Sequence, residues 1–441
     1  MALWFVKTSA IVATPADTND GKDPLGFDLS SATWTASTKT LAKTGGFSGY
    51  THTSGDIIWI SSATAGTDGW YEIASKDSDD QLTLGDLIEG SGVAADQTDV
   101  TSSDGPFATI GHLLNDGGSG NTSLAGDDDA RICDDGTHEI ASQVDITASS
   151  TATTSRLTVK GVGSRGEDVT LSDPNNRVHV RAATTFSSNY LINMASSYID
   201  LINMWLDARD SGGTAKASRC VNKPGSGNFF MFFNIRVSYA SNRGISASNS
   251  QCFYCEADNN NVGIAETSIV AGCIMRSNTS DGCTNTNGTF MNSVSYNNGG
   301  IGFKGCKYTV GCTAYGNAGD GFEGVTNRQN VIFSNNSSID NGGYGFNLNA
   351  ITLGDNNHTH NNTSGATNLT GGLPGVNNVT GDPLFADAAN GDFTPQSGSP
   401  LIDAGLGVED NNVDIGAVEA ASGGGGGTNI TRRVPRLLGA S

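Results

Sequence analysis

What most restricts the folding of this chain is a repeat that runs through residues 228–349. Read in register, its segments are NIRVSYASNRGI, YCEADNNNVGI, GCIMRSNTSDGC, NSVSYNNGGIGF, GCTAYGNAGDGF and NSSIDNGGYGF. Each closes on a glycine (Gly244, Gly263, Gly282, Gly302, Gly321, Gly345), and these glycines stand 19 to 24 residues apart. The residue after each glycine is apolar or Cys: Ile245, Ile264, Cys283, Phe303, Phe322 and Phe346. An asparagine lies a few positions before each glycine: Asn242, Asn260, Asn278, Asn298, Asn317 and Asn341. A period near 20 with short β-type runs and no helical pattern implies coils stacked into a β-solenoid. A leucine-rich repeat shares the period, but its leucines are missing.

Coils stacked at ~4.8 Å bring equivalent residues directly above one another. Asparagines recurring at one corner can then pass side-chain amide hydrogen bonds along the stack. Asn and Gly also tolerate the left-handed backbone that a sharp corner needs. The residue after each glycine re-enters a strand and points inward. A second inward column is expected at Val237, Cys255, Cys273, Ser293 and Cys312. The run FFMFF at 229–233 is an aggregation hazard if exposed and ordinary core if packed inside a coil.

Composition narrows the function classes. The net charge of −21 argues against nucleic acid as a partner and against polyanionic glycans bound over a broad surface. The eight cysteines read as buried free thiols used as small hydrophobes. Cys252 and Cys255 form a CxxC without a second pair at zinc-ribbon spacing; a single strand would aim their sulfurs to opposite faces. MALWFV is too short for a signal peptide and is interrupted by Lys7. No run approaches ~20 apolar residues, so no membrane insertion is expected. A solvent-exposed chain without an export address fits a virus particle released by lysis.

Residues 1–103 lack the repeat. Strand-like runs at 31–41, 56–61 (DIIWIS), 69–75 (GWYEIAS) and 80–84 are separated by Gly, Asp and Ser turns, as in a small antiparallel β-sandwich or barrel. A linker at 99–105 leads to PFATIGHLLN (106–115), an amphipathic helix expected to cover the open end of a solenoid over 104–420. Residues 356–368 are Asn/His/Thr-rich and read as irregular. Gly423 to Gly427 then form a tether. Beyond it lies a tail with Arg432, Arg433, Arg436, Leu437 and Leu438 on an otherwise acidic chain, which reads either as a frayed terminus or as a docking peptide for a neighbouring subunit.

Two resemblances add to this reading. GDIIWISSATAGTDGWYEIASKDSDDQLTL resembles small β modules at the front of bacteriophage virion proteins, which attach to the particle or orient the domain behind them. DPLF, NGDF, SGSPLIDAG and DIGAVE, between residues 382 and 419, resemble the C-terminal closing segment of right-handed parallel β-helix repeat proteins. The resemblance implies an all-β chain, a right-handed parallel β-helix preceded by a small antiparallel β module. It implies no single activity, since lyases, hydrolases, adhesins and phage spikes share the fold.

The candidate chemistry is sparse. Asp281 and Asp320 stand just before repeat glycines two coils apart, about 9.6 Å between backbones. That is near the upper end of the ~6.5–9.5 Å range of inverting glycosidases. Glu256, Asp258, Glu266, Glu323 and Asp340 lie on the same stack. Acids at turns also serve as solvated corner caps, and the turns are too short to wall a sugar cleft. Uronate lyase chemistry would want more basic residues than the stack carries. Gly161 to Gly166 match GxGxxG, yet residues 167–172 read as a strand where a phosphate site needs a helix. Asp127, Asp128, Asp129, Asp134 and Asp135 lack EF-hand spacing; His358 and His360 are read as surface. No metal and no cofactor are expected. The leading expectation is a structural protein on the virion surface of a tailed phage, as decoration, spike or fibre. Its partners would be other virion proteins, copies of itself in a homotrimer, and a host-surface glycan. The alternatives are a tailspike-type glycan depolymerase and a bacterial surface adhesin.

Overall fold

The structure is a computed structural model. It describes residues 3–6; 25–101 without 26, 28, 31, 55, 63–66 and 91–96; and 128–420 without 135, 147–155, 164–176, 195–197, 225–229, 326–330, 349–351, 371, 374 and 407–412. The helix expected at 106–115 and the tail with Arg432, Arg433, Arg436, Leu437 and Leu438 lie outside the described residues. The chain divides into two units, Met1–Thr214 and Ala215–Ser441.

In the first unit six antiparallel strands close into a barrel, in the order Ala32–Thr35, Thr40–Ala42, Gln81–Gly90, Thr67–Ser78, Ile57–Ser62 and Gln97–Thr101. The run expected as one strand over 31–41 is a hairpin, with Lys39 in the left-handed region (φ 52°) at its turn. DIIWIS is apolar on both faces because both are buried. Ile58 and Ile60 join the barrel core with Trp34 and Tyr71. Ile57 and Trp59, with Trp70 from the paired strand, point out and pack on Cys133 and Val162 of the first coils.

Those coils are parallel. Leu3–Val6 pairs with Asp129–Cys133, which pairs with Leu157–Val162, which in turn pairs with Ile199–Ile202. The chain's first described strand thus belongs to the solenoid sheet. A Cβ on Gly161 would lie 2.1 Å from the Asn203 carbonyl oxygen. This first glycine of GxGxxG is therefore there because two backbones meet.

The regular coils of the second unit have three strand segments, the first two running on as one strand in Cys283–Met291 and Phe303–Val310, and all pair in parallel with the equivalent segments of neighbouring coils. Register places Ile245, Ile264, Cys283, Phe303, Phe322 and Phe346 in one inward column. The last three rings stack with centroids 5.1 and 5.0 Å apart.

Two corners per coil use left-handed backbone, with φ between 47° and 64°. One falls on Asn259, Ser277, Asn297, Gly316, Asp340 and Asn361, each immediately before a column of asparagines. In that column Asn260, Asn278, Asn298, Asn317, Asn341 and Asn362 are bonded in series. Each Nδ2 donates to the next Oδ1, at 3.2, 2.9, 2.8, 2.9 and 2.8 Å. Each Oδ1 also accepts from the backbone N–H of the equivalent residue one coil earlier, beginning with Ala240. Asn242 is not on this ladder: it is exposed, and Ala240 holds the equivalent position. The column stands four residues before the repeat glycine in every one of these coils but one (Asn260 is three before Gly263), so Asn242, two before Gly244, falls in the turn instead.

The other corner falls on Asn234, Tyr254, Gly272, Asn292, Gly311 and Asn335. Cys255, Cys273, Ser293 and Cys312 come after it and point inward, as expected, but Val237 pairs instead with Ala257 in the neighbouring column, and Ile235 heads this one. The left-handed Tyr254 also bends the CxxC, so Cys252 and Cys255 are both buried rather than opposed. All eight cysteines are free and buried. Residues 356–368, read as irregular, contribute a further coil. His358–His360 pairs with Ser337–Ile339, and Asn357 and Asn362 extend the two corner columns.

Beyond the last coil the chain turns back. The hairpin of Phe385–Asp387 and Asp392–Pro395 sets Phe393 edge-on to Tyr296 and Tyr315, at 5.2 and 5.5 Å. Ala417 N donates to Thr313 Oγ1, and Asn335 exchanges two hydrogen bonds with Leu406. This closing segment covers the outer face of the third-strand sheet over the coils from Ile274 to His358.

Candidate functional site

Among the described residues two outer faces are left uncovered, and register gives them opposite characters. Outward from the first strands, one column runs Arg243, Val262, Asp281, Ile301, Asp320 and Tyr344. Beside it stand Ser246, Ala265, Thr284, Lys304, Glu323 and Asn347. This polar face brings Asp281 and Asp320 together with Lys304 and Glu323.

Both oxygens of each aspartate are occupied. Asp281 Oδ1 accepts from the Ile301 backbone N–H at 2.8 Å, and its Oδ2 meets Thr284 Oγ1 at 3.1 Å and Lys304 Nζ at 3.4 Å. Asp320 Oδ1 accepts from the Tyr344 N–H at 2.6 Å, and its Oδ2 from Asn347 Nδ2 at 2.8 Å. Asp355 accepts from the Val376 N–H in the same way. Each carboxylate caps a backbone donor one coil on, a bond to a charged acceptor worth about 1.5–3 kcal/mol. Ile301 stands between Asp281 and Asp320 in the column.

Glu323 differs. Burial raises its pKa; Lys304 opposes the shift, and the nearby Asp320 and Asp281 add to it. A carboxyl pushed upward beside other acids is the setting of a proton donor. At the other end of the face burial acts to raise Glu266, but Arg243 and Ser246 bind it and bring its pKa below the ordinary range.

The remaining acids of the stack lie elsewhere. Asp258 and Glu256 project from the third-strand sheet, where they bind Arg236 and Arg276. Asp340, on the same side, accepts from Asn361. In the first unit Asp129 lies against Lys160 and Arg131, while Asp127 and Asp135 fall outside the described residues. Among the described residues no group of three metal-ligating side chains is assembled. His358, read as surface, is fully buried. It accepts from Ser337 Oγ at Nδ1 and donates from Nε2 to the Gly381 carbonyl of the closing segment, both at 2.8 Å. Burial pushes its pKa down to about 4.

The other uncovered face went unread in the sequence. The second strands present outward Met231, Gln251, Ile269, Thr289, Tyr308 and Ile332 in one column. The adjacent column is Phe233, Phe253, Ala271, Met291, Val310 and Ser334. FFMFF therefore splits: Phe230 and Phe232 are core, and Met231 and Phe233 look outward.

Stacked coils with in-register parallel strands define a parallel β-helix repeat protein, here joined to a small antiparallel barrel. No protein-family model matches the sequence, and no curated protein matches it. Among solved structures, the chain is similar to pectate lyase Pel9A (TM-score 0.46, 15% identity, 68% of this chain and 89% of that one). It is also similar to the pectin methylesterase of Aspergillus niger (TM-score 0.30, 14% identity, 63% and 83%). A third is the Dettilon tailspike protein gp208 (TM-score 0.32, 11% identity, 58% and 62%).

Proposed function

We propose that this chain is a structural protein exposed on the particle of a tailed bacteriophage, where it stabilises the assembly or meets the host surface. The observation that carries the reading is the repeated cap. The acids best placed for chemistry, Asp281 and Asp320, have both oxygens bonded, each capping a backbone N–H of the next coil, a use that stiffens the stack. The barrel, resembling virion front modules, would serve for attachment. Gold-labelled antibody to this chain should decorate the surface of purified particles; particles that carry none of the chain would refute the assignment.

A second reading, a depolymerase acting on host glycan, is favoured by Glu323, whose raised pKa suits a general acid. If it holds, Glu323→Gln abolishes release of reducing ends from host polysaccharide, and the native protein releases them. A native protein inactive on every host glycan removes this reading.

A further inference from the structure

Three outer faces of the second unit have three fates. The closing segment covers one, and another is charged and polar. The third, on the second strands, is apolar and uncovered among the described residues. Of the seven large hydrophobic residues left exposed in the described structure, Tyr308 (39%), Val310 (37%) and Ile332 (37%) lie side by side on it. Register continues them through Met291 to Phe253, so the stripe is continuous across coils. Coil spacing makes it about 19 Å long. Scattered exposed apolar residues mean little; a contiguous rank of them marks an interaction site.

We propose that this face docks a second copy of the chain. The inference rests on the proposed role as an assembled particle protein and names the surface that does the assembling. Charge selects the occupant. The chain carries a net charge of −21, so two copies can meet closely only where neither presents an acid. Neither outward column contains a charged residue. A basic partner would instead be drawn to the acids of the polar face. Stable interfaces bury about 800 Å² per partner, so the stripe is the apolar centre of a larger contact. Its edge is polar: Ser268 and Asn287 are exposed, and Lys307 Nζ lies 4.9 Å over the Tyr308 ring.

The test is the mass of the full-length chain in solution, by light scattering and sedimentation, against concentration. Native protein should self-associate at micromolar concentration. The triple variant Tyr308→Thr, Val310→Thr, Ile332→Thr keeps residues of high strand preference and should raise the dissociation constant at least about 30-fold. An unchanged far-ultraviolet spectrum shows that the variant is folded. As a second, milder probe, Ile332→Lys alone should weaken association in the same direction. A native monomer at tens of micromolar overturns the inference, as does an oligomer indifferent to both variants. Association lost on deleting residues 421–441 but kept in the triple variant assigns assembly to the tail and overturns it as well. Particle labelling separates the two failures. A chain present on virions but monomeric sinks only this inference, whereas an oligomer absent from virions sinks only the proposed function.

Discussion

Replacing Asn298 by Ala should open its coil, while the same change at Asn242 should do almost nothing. Asn298 Oδ1 accepts from the Asn278 backbone N–H at 3.1 Å and from its side chain at 2.9 Å. Its Nδ2 donates to Met275 O, Ser295 Oγ and Asn317 Oδ1 at 3.2, 3.1 and 2.8 Å. Truncation strands the buried Asn278 N–H, at about 1–3 kcal/mol, and forfeits the other bonds at about 1 kcal/mol each. Relaxation recovers part of that, leaving about 3 kcal/mol, or ~150-fold in a local opening equilibrium. Asn242 is exposed, so its truncation should stay within about 0.5 kcal/mol. Hydrogen exchange read by mass spectrometry over residues 275–300 measures the local term without requiring reversible global unfolding. If amides in that stretch exchange at the same rate in the two variants, the asparagine column is not what holds neighbouring coils together.

Four further outcomes are expected. His358 titrates at about 4 in the fold and near 6.5 unfolded, so the unfolded state takes up the proton first. Stability should therefore fall as pH drops from about 6.5 to 4, by up to about 3 kcal/mol, and a denaturant midpoint measured across that range should flatten in His358→Gln. Asp258→Asn leaves Arg236 facing a neutral partner in a site where Asp258 is 1% exposed; about 3 kcal/mol should be lost in chemical denaturation, and a neutral result would show the pair to be dispensable. Gly161→Ala should lower the melting temperature measurably or prevent folding, because its Cβ meets the Asn203 carbonyl; an unchanged melt would mean the two backbones can part. Burial raises the Cys312 thiol to about 12, and all eight thiols are enclosed, so a maleimide should label the chain only after denaturation; any site labelled in the native state contradicts the enclosed thiols.

The coil period and the Gly–apolar step were legible because stacking imposes one residue type on one column. A column can still lapse in a single coil: Ala240 stands where the others have asparagine, which is why the nearby Asn242 looked like a ladder member. Val237, two residues past Ile235, likewise looked like a neighbour of Cys255. The coil at His358–His360 was hidden for a related reason: Thr359 takes the inward place of its third strand and Thr367 follows Phe346 in the next first strand, so it lacks the apolar pulse that marks the others. FFMFF shows a different limit. An unbroken apolar run reads as core, and only the strand's alternation, fixed by register, reveals that half of it looks outward. As for chemistry, Asp281 and Asp320 could be placed two coils apart from sequence. Their occupation by backbone donors of the next coil depends on corner geometry that spacing does not reveal.

The asparagine column has a direction. Every link from Asn260 to Asn362 sends an amide proton forward in the chain, to an oxygen that the ribosome has yet to deliver. A nascent stack therefore always ends in an unfilled donor, and the arriving coil is the group that fills it. Such a stack can be laid down turn by turn in the order of its own translation, each finished layer serving as the mould for the next.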